Sequence, residues 1–351
     1  MVLFHVQSAI LVKQKYLGMT MNPWLMPGRA GVEFFFVLSG FIITYIHWDQ
    51  IGAPSAAGAF LKKRFFRIYP VYWIVTFVVL LAISANAHYY QGYDKGPAAI
   101  AATISLLPFA PDVLTGGGWT LQHEVLFYFF FLLLIANRRI GAIAMALWLF
   151  GSALILSGAV VTTRASGPLL NLVFSPEHFL FVMGMASAGL LSRIRLRRPV
   201  IVAAAGLALL AATALWNVYR DASQERADLM LAYGVASAVC ITAFVQIEKD
   251  RHVAVPAFLL LLGDASYAIY ITHLTVLSGL AKLLVAMNLQ HAVRPAGITL
   301  MLFVMASGIG LAFHWFIERP ILSYFSRRHR INSDSRVWIE AGAMPTGVAQ
   351  N

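Results

Sequence analysis

Charge is what this chain has least of. Only 12% of its 351 residues are Asp, Glu, Lys or Arg, while 60% are hydrophobic and the mean hydropathy is +0.74. A soluble globule of this length needs more polar surface than that, so an integral membrane protein is expected. Acidic residues are the scarcer sign, 15 against 26 Lys and Arg, for a formal net charge of +11. The basic residues gather in short clusters between apolar runs, where they set membrane orientation and meet anionic headgroups. That pattern argues against a nucleic-acid partner. Cysteine is nearly absent: Cys240, inside the apolar run 229–247, leaves no intrachain disulfide and no cysteine metal cluster, and reads as packing. No metal-ligand spacing, P-loop or dinucleotide glycine fingerprint occurs, so no metal is expected. The first twelve residues are apolar without a basic leader or a small-residue cleavage site. They read as the remnant of a span and not as a signal peptide.

What is present is apolar sequence in lengths that cross about 30 Å of hydrocarbon. Such runs lie near residues 31–47, 68–86, 119–136, 140–161, 172–192, 199–217, 229–247, 265–287 and 296–318, and the short stretch from Val2 to Val12 makes ten. The basic clusters Lys62 to Arg67, Arg138 and Arg139, Arg193 to Arg198, Lys249 and Arg251, and Arg327 to Arg330 then all fall on one side. The positive-inside rule makes that side, and both termini, cytoplasmic. The expected fold is all-α, a polytopic transmembrane helical bundle of about ten spans, the first truncated. Residues 1–326 would form one membrane domain and 327–351 a cytoplasmic, disordered tail. Residues 97–111 are apolar but short, with Pro97, Pro108 and Pro111, and are expected outside the spans as an interfacial or re-entrant loop.

Within or at the ends of these spans lie five ionisable side chains: His5, Glu33, Glu124, His273 and Glu318. A carboxylate at a helix centre costs roughly 2.5 to 3.5 kcal/mol on insertion scales, so these groups should face a shared interior or a water-filled cavity. A histidine there must find partners or water, and its titration range also suits proton transfer near neutral pH, so His5 and His273 divide between structural and chemical roles. Glu124 follows Trp119 at the start of a span behind Gly116, Gly117 and Gly118, where the helix dipole offers a capping role as well as a site role. Glu33 has the same ambiguity ahead of Ser39 and Gly40. Arg64 and Arg67, three apart, share a helix face suited to the phosphates of a nucleotide-like ligand, or to topology alone. Glu318 would pair with that cluster and seat Arg64 or Arg67.

The order of these pieces resembles the acyltransferase-3 family of bacterial membrane acyltransferases, particularly members associated with exopolysaccharide production. The matching residues are His5; the run Gly31 to Phe41 with Glu33 and Ser39; Arg64 to Pro70, including Arg67 and Tyr69; Trp119, Leu121 and Glu124 with Phe127 and Tyr128; Gly263 to His273; and Ile317 to Pro320. The resemblance implies transfer of an acyl group, often acetyl, from cytoplasmic acyl-CoA as co-substrate to a hydroxyl of a carbohydrate acceptor. It implies His5 as the catalytic residue and Glu124 as the matching carboxylate, and His273 is expected to act with them in orienting groups or binding the acceptor. Arg64, Arg67 and Tyr69 would bind the donor, and Glu33, Ser39, Trp119 and Glu318 would support the site. No bound cofactor is implied. It also implies a bacterial inner-membrane location, an acceptor that is lipid-linked or polymeric, and contact with polysaccharide synthesis or export machinery. Members usually carry a longer first span with a basic residue about eleven positions before the histidine, whereas four residues precede His5 here. A transporter or flippase of a lipid-linked saccharide is the competing reading, since buried histidines and carboxylates also build proton relays.

Overall fold

The computed structural model describes residues 1–13, 18, 22–85, 96–107, 113–161, 167–220, 227–251, 253–289 and 293–325, and these hold helices and no strand. The expected tail, 327–351, lies outside the described residues. Among the described residues, nine helical segments are long and apolar enough to cross a membrane, and Val2–Leu11 is a tenth, shorter apolar helix. The outward surface is that of a multi-pass membrane protein. On the helix α6 (Arg138–Leu156), for example, Ile140, Ile143, Leu147 and Phe150 form one exposed stripe at helical spacing.

The chain begins with α1 (Val2–His5), which continues as a wider turn through Val6–Leu11. Its residues Val6, Ile10 and Leu11 pack on Leu277, Ala281, Leu284, Leu302 and Ala306. These belong to α12 (Ser266–Ala286) and α13 (Pro295–Phe313). Buried Gln7 is satisfied by donating to the Asn22 carbonyl at 3.1 Å, which ties α1 to the next segment. That segment starts earlier than the sequence suggests. Pro23–Ala30 forms a tight 3-10 turn, capped by the Asn22 side chain, that runs straight into α2 (Gly31–His47). Pro23 sits where a helix start lacks a use for its missing N–H. Glu33 therefore lies inside a continuous span, Pro23–Gln50, and not at its mouth. Likewise α3 (Ala57–Ala85) opens before residue 68, so Arg64 and Arg67 lie within the helix.

Residues 97–105 form a short helix, α4 (Pro97–Ser105), buried along α3 at Ala99, Ala102 and Thr103. A helix end in an apolar setting must satisfy its last four carbonyls. Here the Leu106 N–H reaches the Ala102 carbonyl, Tyr72 OH donates to Thr103 O at 2.6 Å, Trp73 Nε1 to Ile104 O at 2.9 Å and Tyr69 OH to Ser105 O at 2.8 Å. Three aromatic side chains of α3 thus hold the end of this helix through its last carbonyls.

The remaining spans are α5 (Gly118–Ala136), α6, the pair α7 (Pro168–Val173) and α8 (His178–Leu191), α9 (Pro199–Tyr219) and α10 (Ala227–Asp250), with a short α11 (Ala257–Asp264) before α12. An aromatic core built from Phe36, Phe60, Phe127, Phe131 and Phe181 joins α2, α3, α5 and α8. Trp119 of α5, Glu177 just before α8 and Ala227 of α10 line one cavity, so the starts of these three helices lie together. Arg64 of α3 lies against Tyr128, further along α5.

Candidate active site

One stripe of α5 organises the buried polar groups. Thr120, Glu124 and Tyr128, four apart, share a helix face, and all three are buried. At the start of the stripe, Thr120 Oγ1 bonds the hydroxyl of Tyr270, which also donates to the Gly117 carbonyl at 3.1 Å. In the middle, Glu124 Oε1 accepts from Ser39 Oγ at 3.2 Å and from the Tyr128 hydroxyl. At the far end the Arg64 guanidinium lies 5.9 Å from the ring centroids of both Tyr128 and Phe60.

Tyr270 leads to the histidines. His273 Nδ1 contacts the Tyr270 backbone oxygen, which can only accept, so Nδ1 carries the proton. His273 Nε2 is then a lone pair, and it lies 2.9 Å from His5 Nδ1, which must donate. The proton on His5 is thereby assigned to Nδ1, and Nε2 is left as a bare acceptor with no partner among the described residues. The His5 ring lines a cavity of about 770 Å³ whose wall also includes Arg29, Glu33, Trp119, His123 and Glu177.

Toward the other end of the stripe, Arg67 Nη1 lies 3.1 Å from Glu318 Oε1, and His314 Nδ1 lies 2.8 Å from Glu318 Oε2. Glu318 is wholly buried, whereas 40% of the Arg67 side chain is exposed. The Arg67 guanidinium also sits 5.4 Å from the Tyr267 ring centroid, and Tyr267 OH donates to the Ile68 carbonyl at 2.9 Å. Glu124 stands within electrostatic range of both Arg64 and Arg67.

The structure therefore brings together the predicted residues in pairs: His5 with His273, Ser39 with Glu124, Arg67 with Glu318. Trp119 and Glu33 join His5 on the cavity wall. Tyr69 differs from the rest because its hydroxyl is engaged by the Ser105 carbonyl, so it braces α4. Sequence reasoning did not single out Tyr270, Thr120 or His314, nor the pair His123 and His178. The four-residue spacing of Thr120, Glu124 and Tyr128 was the signal that could have exposed the stripe. No group of three or more His, Cys, Asp or Glu is placed to hold a metal among the described residues.

The described residues of this membrane bundle hold a buried histidine pair, a Thr-Glu-Tyr stripe and an arginine-carboxylate cluster, a set of groups that a membrane-embedded transferase can use. The family model described as an acyltransferase domain matches residues 1–319, and the chain belongs to that family, acyltransferase-3. It is an enzyme, a transferase of acyl groups other than aminoacyl groups. Among similar proteins is an exopolysaccharide production protein, ExoZ, of Rhizobium meliloti (strain 1021). It is 29% identical over 310 residues, covering 84% of this chain and 90% of the relative. Nodulation protein 10 of Rhizobium leguminosarum bv. viciae is 26% identical over 183 residues, covering 46% of this chain and 48% of the relative. No solved structure matches significantly.

Proposed function

We propose that this enzyme moves an acyl group, acetyl in the first instance, from acyl-CoA to a hydroxyl of a carbohydrate such as exopolysaccharide, in the inner membrane of a bacterium. The single observation that carries the reading is His5 itself. Its tautomer is fixed by His273, its second nitrogen is a bare acceptor, and its ring opens on a cavity large enough for a sugar. That is the arrangement a general base needs.

The acyl-CoA phosphates meet Arg64 and Arg67 at the cytoplasmic end, with Arg67 aimed by Glu318, and the thioester reaches along the α5 stripe toward His5. His5 Nε2 takes the proton of the acceptor hydroxyl, whose oxygen attacks the thioester carbonyl carbon. The C–S bond breaks, and the CoA sulfur leaves with the proton that His5 held. Glu124, held by Ser39 and Tyr128, orients groups between the two ends. The name of the ExoZ relative, an exopolysaccharide production protein, supports exopolysaccharide as the acceptor class. A lipid-linked or polymeric acceptor, and work beside the machinery that builds or exports it, belong to the same proposal.

The test measures CoA release by the purified protein supplied with acetyl-CoA and carbohydrate, together with mass spectrometry of the exopolysaccharide from the producing cells. Acyl groups should be lost from the polymer when His5→Ala replaces the wild type. Full acylation with His5→Ala would sink the assignment.

A further inference from the structure

We propose that His123 is a second hydroxyl-recognising group of the same cavity, held in one tautomer by His178, and that with Trp119 it forms a subsite for a neutral sugar ring. The proposal rests on the functional reading above and names residues that the reading leaves unused.

His123 precedes Glu124 on α5, so it points off the Thr120 stripe and lines the cavity together with Trp119, one turn earlier. Its Nδ1 lies 3.0 Å from His178 Nε2, and His178 is fully buried at the start of α8. The His178 ring packs 4.3 Å from that of Trp148. The anchor beyond it is Ser152, which donates its hydroxyl proton to the Trp148 carbonyl at 3.2 Å. We assign that proton to the carbonyl, the shorter of the two contacts, which leaves Ser152 Oγ to accept, at 3.5 Å, from His178 Nδ1. His178 Nε2 is therefore a lone pair, His123 Nδ1 the donor that meets it, and His123 Nε2 a bare acceptor without a partner among the described residues.

The logic repeats that of His273 and His5, with a serine hydroxyl in place of a backbone carbonyl. The bundle thus presents two imidazole acceptors to one cavity. The transfer needs only one base, because the proton taken from the hydroxyl leaves on the CoA sulfur. The second imidazole is free for recognition, and a lone pair at that position favours a hydroxyl and disfavours a carboxylate or a phosphate. Trp119, 42% exposed and edge-on to His123 at 5.8 Å, adds an aromatic surface suited to the C–H face of a pyranose. A ring seated there sets one hydroxyl on His123 while another reaches His5.

The experiment uses the full chain in detergent or nanodiscs, with acetyl-CoA as donor. The acceptor probe is the set of oligosaccharides released from the producing cell's own exopolysaccharide and de-O-acylated with base. His123→Phe keeps an aromatic ring and removes the acceptor atom. It should raise the acceptor KM about tenfold, in line with the loss of one hydrogen bond, while acetyl-CoA KM and kcat at saturating acceptor stay within about twofold. His123→Gln should recover part of that loss. Trp119→Ala, at an exposed position, should raise acceptor KM in the same direction and serves where the histidine variant does not fold. A fall in kcat at unchanged acceptor KM, or no change in either constant, overturns the subsite. A wild type that releases no CoA, or a His5→Ala protein as active as wild type, overturns the functional reading itself.

Discussion

His5 Nδ1 and His273 Nε2 lie 2.9 Å apart although 268 residues separate them in the chain, and the contact determines which nitrogen of His5 is basic. α1 is too short to hold a ring orientation through its own turns. It is positioned from outside, by the small residues Ala281 and Ala306 against which Val6 and Ile10 pack, and by the Gln7 bond to Asn22.

The first prediction separates the two histidines. A positioned base contributes roughly 10² to 10⁴ in rate, so His5→Ala should lower kcat by about that range. His273→Phe keeps the bulk but removes the acceptor for His5 Nδ1–H, which frees the ring to take the other tautomer. We expect a fall in kcat of about 10- to 100-fold with both KM values retained, read from CoA release. A His273→Phe enzyme at wild-type kcat would show that the contact has no part in catalysis.

The second concerns Glu318, whose two oxygens are divided between Arg67 and His314. Glu318→Gln preserves volume and removes the charge that aims Arg67. Acetyl-CoA KM should rise about tenfold while acceptor KM is unchanged, since one charge-assisted bond contributes roughly 1.5 to 3 kcal/mol. The opposite pattern, a shift confined to the acceptor, would move Arg67 out of the donor site.

The third follows from the end of α4. Tyr72→Phe leaves the buried Thr103 carbonyl without its 2.6 Å donor, and an unpaired buried polar group costs about 1 to 3 kcal/mol. Trp73→Phe removes a comparable bond at a residue that is 41% exposed. Thermal unfolding in detergent should therefore show a larger drop for Tyr72→Phe. Equal midpoints for the two variants and wild type would mean that α4 is not held through its carbonyls.

The spans were legible because a bilayer dictates their length: nine apolar runs of roughly twenty residues became nine candidate spans, with Val2–Leu11 as the short tenth. The resemblance was legible because six motifs kept their order, and family membership bears it out. The 3-10 entry to α2 was not legible, since Pro23, Pro27 and Gly28 read locally as loop while in the fold the segment packs on both α1 and α9. The histidine pairs were half legible. His5 and His273 stand out in apolar surroundings, but nothing local announces that they touch. His178, beside Ser175, Pro176 and Glu177, reads as an ordinary helix start, and its partner His123 lies 55 residues away. Hydroxyl direction is likewise invisible to spacing, and nothing local announces that the Tyr69 OH donates to the Ser105 carbonyl.

The last prediction tests the closeness of α2 and α8, which sets where His178 stands. A Cβ added at Gly40 would fall 2.0 Å from the Phe181 carbonyl oxygen, and one at Gly184 would fall 2.0 Å from the Val37 carbonyl oxygen and 2.6 Å from Phe41 N. All of these obstacles are backbone, so no rotamer change relieves them and the two helices must separate. This is the close approach that small residues permit between membrane helices, where packing and not the hydrophobic effect drives association. Gly40→Ala and Gly184→Ala should each lower stability by about 1 to 3 kcal/mol or more, as overpacked cores do. At Gly308, where an added Cβ meets nothing within 4 Å, the same substitution should be neutral to slightly stabilising. Separation of α8 also carries His178 away from His123. Gly184→Ala protein that still folds should therefore show a raised acceptor KM at unchanged acetyl-CoA KM, and an unaltered acceptor KM would uncouple the helix contact from the cavity.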